Sequence, residues 1–265
     1  MHGRHRARLF STLLGLALLP CLVLFASAEQ VAASEPAIRA GYIEFPPYSY
    51  TDENDQAAGD IVDLVNLLAQ RAGHRVEFHA GPNLRVFKSL ESGQVEVWAT
   101  VVNHPMVGPH VLQSAYRIAR LKLNLYYRGT NVPQLPYALR GSRLLLMQGF
   151  VYPNSPLTAY IEDPDYRVSK SQAPTHSAAI QMLRRGRADY LLNYQTPMEQ
   201  ALGETDQPLP PHVVVLEQDF TLVFSKRSPR AQRLRDDFDR VLKQLKDSDQ
   251  LPEKFRDLDL HGGGG

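Results

Sequence analysis

Apolar and polar residues first fall into a regular pattern at AIRAGYIEF, where Ile38, Ala40 and Tyr42 recur with period two and predict a strand. The following PPYSYTDENDQAAG carries two prolines and then turn formers, and reads as a loop. Beyond it the period changes. Ile61, Leu64, Val65 and Leu68 form a helical stripe, with Asp60 placed to cap it and Gly73 to end it. RVEF predicts a second strand. Asn83 is placed to cap a second helix bearing Leu84, Phe87 and Leu90, which Gly93 stops. VEVWATV then alternates again, with Val95, Val97, Ala99 and Val101 on one face and Glu96, Trp98 and Thr100 on the more polar one. This β-α-β-α-β order predicts a largely parallel sheet covered by helices.

The theme recurs further on. RLLLMQG reads as a buried strand and YRVSK as another. THSAAIQMLRRG reads as a helix capped near Thr175 with Ala179, Ile180 and Leu183 inward, and ADYLLN as the strand after it. Leu90-x-x-Gly93-x-x-Glu96 and Leu183-x-x-Gly186-x-x-Asp189 are thus two copies of one helix-to-strand junction, the glycine supplying a left-handed helix end. Within the second copy, Arg184, Arg185 and Arg187 read as a solvated helix end complementing the dipole. Glu96 and Asp189 read as turn or sheet-end charges. Strand-like LKLNLYYR and FTLVFSK flank the second unit. A long helix then follows Ser228-Pro229, with Leu234, Phe238, Val241, Leu242 and Leu245 on one stripe. The pattern predicts an α/β chain of two lobes, the second inserted into the first through two crossing strands. The cleft between them is a natural ligand site.

The 265 residues are 43% hydrophobic and 22% charged, as a soluble globular chain should be. Residues 1–28 stand apart. A basic MHGRHRAR precedes the apolar LLGLALLPCLVLFA, and Ala26-Ser27-Ala28 offers a cleavage site, so a signal peptide is expected. Its loss removes Arg4, Arg6 and Arg8 and turns a slight basic excess, 29 against 28, into a slight acidic one. That balance speaks against nucleic acid as a partner. The single cysteine, Cys21, lies inside this segment behind Pro20, so neither lipidation nor a disulfide framework is expected. The nine histidines form no metal-binding spacing, and no Walker, dinucleotide or Gly-x-Ser-x-Gly motif is present. No cofactor is expected.

Taken in order, FPPYSY, GDIVDLVNLLAQRAG, LRVFKSLESGQVEVWAT, LRGSRLLLMQGFVY and MLRRGRADYLLN resemble the extracellular solute-binding proteins of family 3, the amino-acid-type periplasmic receptors of ABC transporters. The resemblance runs from Ile38 to Asp257. It implies a two-lobed periplasmic-binding-protein fold of the Venus-flytrap type (type II), with two crossover strands at the hinge. The lobes would divide as 36–125 and 220–258 for the first and 126–219 for the second, with 259–265 a disordered tail. It also implies a periplasmic monomer that closes on a small polar solute, amino-acid-like or an organic acid, and hands it to an inner-membrane permease or a sensor.

Site residues follow from the same resemblance. The aromatic loop offers Phe45 and Tyr48, and the segment ending the VEVWATV strand offers Thr100 and Asn103. The turn after RLLLM offers Gln148 and Tyr152 beside a helix start that favours anions. Trp98 reads equally as a core aromatic or a ligand-stacking one. The chain departs from the family at two charges. NHPMVGPHV lacks the arginine that holds a ligand carboxylate, and Asn193-Tyr194 stand where an aspartate would hold the ammonium. Neutral groups replace a bidentate arginine poorly, which speaks against a free α-amino acid. Arg85 and Arg117 are the alternative anion contacts. An enzyme on the same fold, with Glu44 as acid or base in dehydratase- or lyase-like chemistry, is the second reading.

Overall fold

The computed structural model describes residues 35–203, 207–252 and 255. The expected signal peptide and glycine tail lie outside them. β1 (Ile38–Tyr42) follows the period-two pattern. The loop after it holds a two-stranded ribbon, β2 (Tyr50–Thr51) with β3 (Ala57–Ala58), that the turn-rich sequence concealed. α1 (Asp60–Arg71) buries the predicted stripe, but its N-cap is Gly59 and Asp60 is already helical. The reason is local. The Asp60 and Ile61 amides donate to the Pro47 and Tyr48 carbonyls, and a Cβ at Gly59 would stand 2.6 Å from those oxygens. β4 (Val76–Ala80), α2 (Asn83–Ser92) and β5 (Val97–Val101) complete the first unit. Here too the cap moves back one residue, to Pro82.

β6 (Val111–Tyr127) is far longer than LKLNLYYR suggested, because its first half mixes polar with apolar residues and hides the strand period. β7 (Arg143–Met147), α3 (Thr158–Glu162), β8 (Ser169–Ala173), α4 (His176–Arg184) and β9 (Tyr190–Tyr194) form the second unit. β8 starts later than YRVSK predicted, since Tyr166 closes a 3-10 turn and Arg167 is left-handed at φ 51°. Thr175 caps α4 as expected, accepting from the Ala178 amide. α5 (Gln195–Gly203) escaped prediction, having no clear stripe and a proline in its first turn, where proline is tolerated. β10 (His212–Ser225) returns the chain, and α6 (Ala231–Asp247) buries Leu234, Phe238, Val241, Leu242 and Leu245.

All eight long strands join one curled sheet in the order β4-β1-β5-β10-β6-β9-β7-β8. The order is symmetric about its centre. On each side the unit's first strand lies between its second and third, all three parallel, and an antiparallel crossing strand follows. β6 and β10 pair with each other along both lobes, with register shifts between Val214 and Val223. Such bulges bend a strand and raise its twist. They lie where the sheet passes from one lobe to the other.

The repeated junction is present in both lobes. Gly93 (φ 83°) and Gly186 (φ 70°) are left-handed, and Leu90 and Leu183 are fully buried. In each copy the acid's amide donates to the carbonyl of the arginine on the unit's first strand: Glu96 to Arg39 at 2.7 Å, Asp189 to Arg143 at 2.9 Å. The carboxylates return the contact by accepting those arginines' amides, at 3.3 and 2.8 Å. Glu96 stands at the sheet end, just before β5, as its sequence suggested, but it is buried there. Its side chain is 2% exposed and accepts from Arg230 at 2.7 and 2.9 Å and from Ser228 at 2.8 Å. Burial alone would raise its pKa, but these donors outweigh it and hold the carboxyl at about 2. The Glu96–Trp98–Thr100 face of β5 is not polar. α2 and the Val107–Val111 segment cover it, so both faces of the strand are buried.

Candidate functional site

The loop after β1 folds back on itself. The Phe45 amide donates to Ser49 O at 2.7 Å, the Tyr48 amide to Phe45 O at 2.9 Å, and the Ser49 hydroxyl to Ile43 O at 2.8 Å. This turn drives the Phe45 ring into the space between the lobes. There it meets Phe150 and Tyr194 of the second lobe edge-on, at 5.5 and 5.3 Å between centroids, and Phe220 of β10 at 6.3 Å. Phe45 is left 4% exposed.

Two side chains tie the lobes directly. The Tyr48 hydroxyl donates to Thr196 Oγ1 of α5 at 3.1 Å, and Asn83 Nδ2 donates to Gly149 O at 3.1 Å. The lobes are therefore closed on each other. Asn83, expected as a helix cap, is instead a cross-cleft contact, since Pro82 has taken the cap.

An inner and an outer space lie in the cleft. The inner one, about 40 Å³, is walled by Phe45, Trp98, Thr100, Phe150, Tyr194 and Phe220, among others. The outer one, about 620 Å³, takes Glu44 and Asn83 from the first lobe and Gln148, Gly149, Thr175 and His176 from the second. The two share Ile43, Asn83 and Phe150.

His176 is set by its neighbour. Asn193 Oδ1 accepts from the Tyr194 amide, so its Nδ2 donates to His176 Nδ1 at 2.9 Å, leaving the imidazole proton on Nε2. Burial lowers the pKa of His176 to about 4, so the ring is neutral at ordinary pH. His104, on the inner wall, is also shifted down by burial.

Of the residues expected from sequence, Phe45, Trp98, Thr100 and Tyr194 line the inner space and Gln148 the outer. Trp98 packs with Phe87, Leu90 and Val223 and also lines the inner space. The others stand behind or beside the walls. Tyr48 is the latch to Thr196. Tyr152 accepts from the Met147 amide at 3.0 Å and stacks on Tyr194 at 5.9 Å, bracing the Gln148–Gly149 turn. Asn193 orients His176. Asn103, left-handed at φ 54°, exchanges hydrogen bonds with Gln113. Arg85 is exposed on α2, its aliphatic chain beside Gly81 at the edge of the outer space, while Arg117 is paired with Asp219 at 2.9 Å. Asn83, His104, Phe150, His176 and Phe220 also line the cleft, and of these Phe150 alone lies in a segment, the turn after RLLLM, that the sequence marks as part of the site.

Residues 38–106 match the model of the bacterial extracellular solute-binding proteins, family 3. The matched stretch lies in the first lobe and runs from β1 past the end of β5. Solved structures resemble nearly the whole described chain. A histidine kinase sensor domain with similarity to periplasmic binding proteins shares 20% identity at a TM-score of 0.66, covering 86% of this chain and 98% of that one. An ancestral arginine-binding protein bound to arginine shares 19% at 0.65, covering 84% and 99%. An ancestral amino acid-binding protein, a precursor of cyclohexadienyl dehydratase, shares 19% at 0.62, covering 83% and 94%. A search of curated proteins finds no match. These likenesses establish the two-lobed periplasmic-binding-protein fold with its two crossing strands.

Proposed function

We propose that this chain is a non-enzymatic receptor, exported to the periplasm, that closes its cleft on a small polar solute and presents it to a transporter or a sensor. We place the lobe boundaries at 125/126 and 219/220, inside β6 and β10. The carrying observation is the closed cleft itself. Its outer space of about 620 Å³ is walled from both lobes, and the lobes meet through Tyr48–Thr196 and Asn83–Gly149. A solute touching both lobes at once favours closure over opening, which is what a transporter or sensor can read. The sensor-domain likeness keeps both destinations open.

The enzymatic reading depends on Glu44. That carboxylate accepts from the Thr51 amide at 3.1 Å and its hydroxyl at 2.6 Å, an arrangement that serves the loop. The test uses the one tryptophan of the chain, Trp98, on the cleft wall. Its emission should change saturably with one class in a panel of amino acids, organic acids and polyamines. The same compound at 100 times its dissociation constant should stabilise the fold by about 2.7 kcal/mol. Silence in both measurements across the panel would defeat the receptor reading. Chemical turnover of the bound compound would replace it with the enzymatic one.

A further inference from the structure

The inner space is walled by uncharged groups alone. Its polar members are Asn83, Thr100 and His104, with the Tyr194 hydroxyl already accepting from Gln218 Nε2 at 3.2 Å. A third space, of about 60 Å³, continues it toward solvent past Trp98, His104 and Phe87. Its lip is formed by Leu84, Met106 and Val151, large apolar side chains left exposed on both sides of the cleft. Among the residues lining these three spaces Glu44, at the outer end, is the only one with a formal charge. A charged group pushed inward would lose its hydration with no counter-charge to meet it, whereas an apolar group loses nothing there.

Resting on the receptor reading, we infer that the solute carries an uncharged apolar body, aromatic or branched aliphatic. That body takes the space between Trp98, Phe150, Tyr194 and Phe220 now closed by the Phe45 ring, and the polar end stays in the outer space near Gln148 and His176. Phe45 then acts as a tethered stand-in. Its ring makes the cross-lobe contacts that the solute's body makes once the loop after β1 yields.

Calorimetry on the full chain decides this with matched solutes: L-phenylalanine, L-leucine and phenethylamine against L-arginine, L-glutamate and putrescine. The apolar-bodied set should bind at least about ten-fold tighter, the discrimination a hydrophobic pocket readily achieves. Equal or tighter binding of arginine, glutamate or putrescine would overturn the inference. Should none of the six bind, the receptor reading is what suffers, and the pocket's chemistry is read separately. Phe45→Ala, or Phe45→Leu where the first variant does not fold, vacates the ring's place. Benzene should then raise the variant's melting temperature and leave the parent unchanged, as expected of a dry apolar cavity. A folded variant indifferent to benzene would show the walls are not apolar enough and would also overturn it.

Discussion

Glu96 and Asp189 occupy one position in two copies of the same junction, and their surroundings differ sharply. Both accept the amide of an arginine on the unit's first strand and sit three residues past a left-handed glycine. Asp189 pairs with Arg143 at 2.7 Å on a side chain left 37% exposed. Glu96 has α6 above it, so Arg230 and Ser228 close over the carboxylate, and Arg230 also donates to the carbonyls of Pro36 and Ala37. The motif supplies geometry in both lobes, and burial by a third element turns one copy into a structural anchor.

That contrast can be broken at its strong end first. Glu96→Ala leaves the Arg230 guanidinium largely buried without its partner and should cost about 3–5 kcal/mol in denaturant unfolding. A loss under about 1 kcal/mol would mean that the two junctions are equivalent. Acid should expose the same group. Glu96 binds its proton less readily folded, at about 2, than at its ordinary 4.5, so the unfolded chain protonates first as pH falls. Its contribution, about 3 kcal/mol, is present in full above roughly pH 5.5 and disappears as pH drops toward 2. The stability gap between the native chain and Glu96→Gln should therefore narrow across that window and stay constant above it. A gap that is flat down to pH 2 would remove the ion pair from the account.

The glycines sharpen the comparison at intermediate scale. Gly93→Ala should cost about 1–2 kcal/mol for its left-handed backbone, with its Cβ also 3.0 Å from Arg227 Cβ. Gly186→Ala carries the same backbone strain but meets the mobile Arg128 guanidinium at 3.1 Å, so it should cost less. Melting curves of the two variants give the order directly, and the reverse order would contradict it. Asp189→Ala comes last. An exposed pair of this kind should contribute below about 1 kcal/mol, and that remainder should fade in high salt.

Much of this fold was legible because two periods, 2 and 3.6, alternate cleanly in both lobes. Leu64, Leu68, Leu234 and Phe238 could be assigned to buried faces from spacing alone. What escaped has physical causes. Capping by a neighbouring loop, as at Gly59, is a tertiary contact with no local signature. The outer half of β6 and all of α5 bury irregular patterns against several neighbours, so neither shows one period. At the site, Phe45 could be placed on the cleft loop from its sequence, while Asn83 and His176 became cleft residues only through the approach of the opposite lobe. The missing arginine and aspartate were visible as absences in the chain. The aromatic wall of the cleft could be seen only once Phe45, Phe150 and Phe220, distant in sequence, stood together.

The pairing of β6 with β10 has one more consequence. The Tyr127 amide donates to Pro211 O at 2.9 Å, and Tyr126 lies opposite His212 in register. The segment between Tyr127 and Pro211 therefore leaves the β6–β10 pair and returns to it at a single point. A segment with joined ends is a cassette: it can be exchanged without moving the ends of its host. The wall of Phe150, Tyr194 and His176 could thus be transplanted whole, leaving Phe45, Trp98 and the buried Glu96 anchor in place.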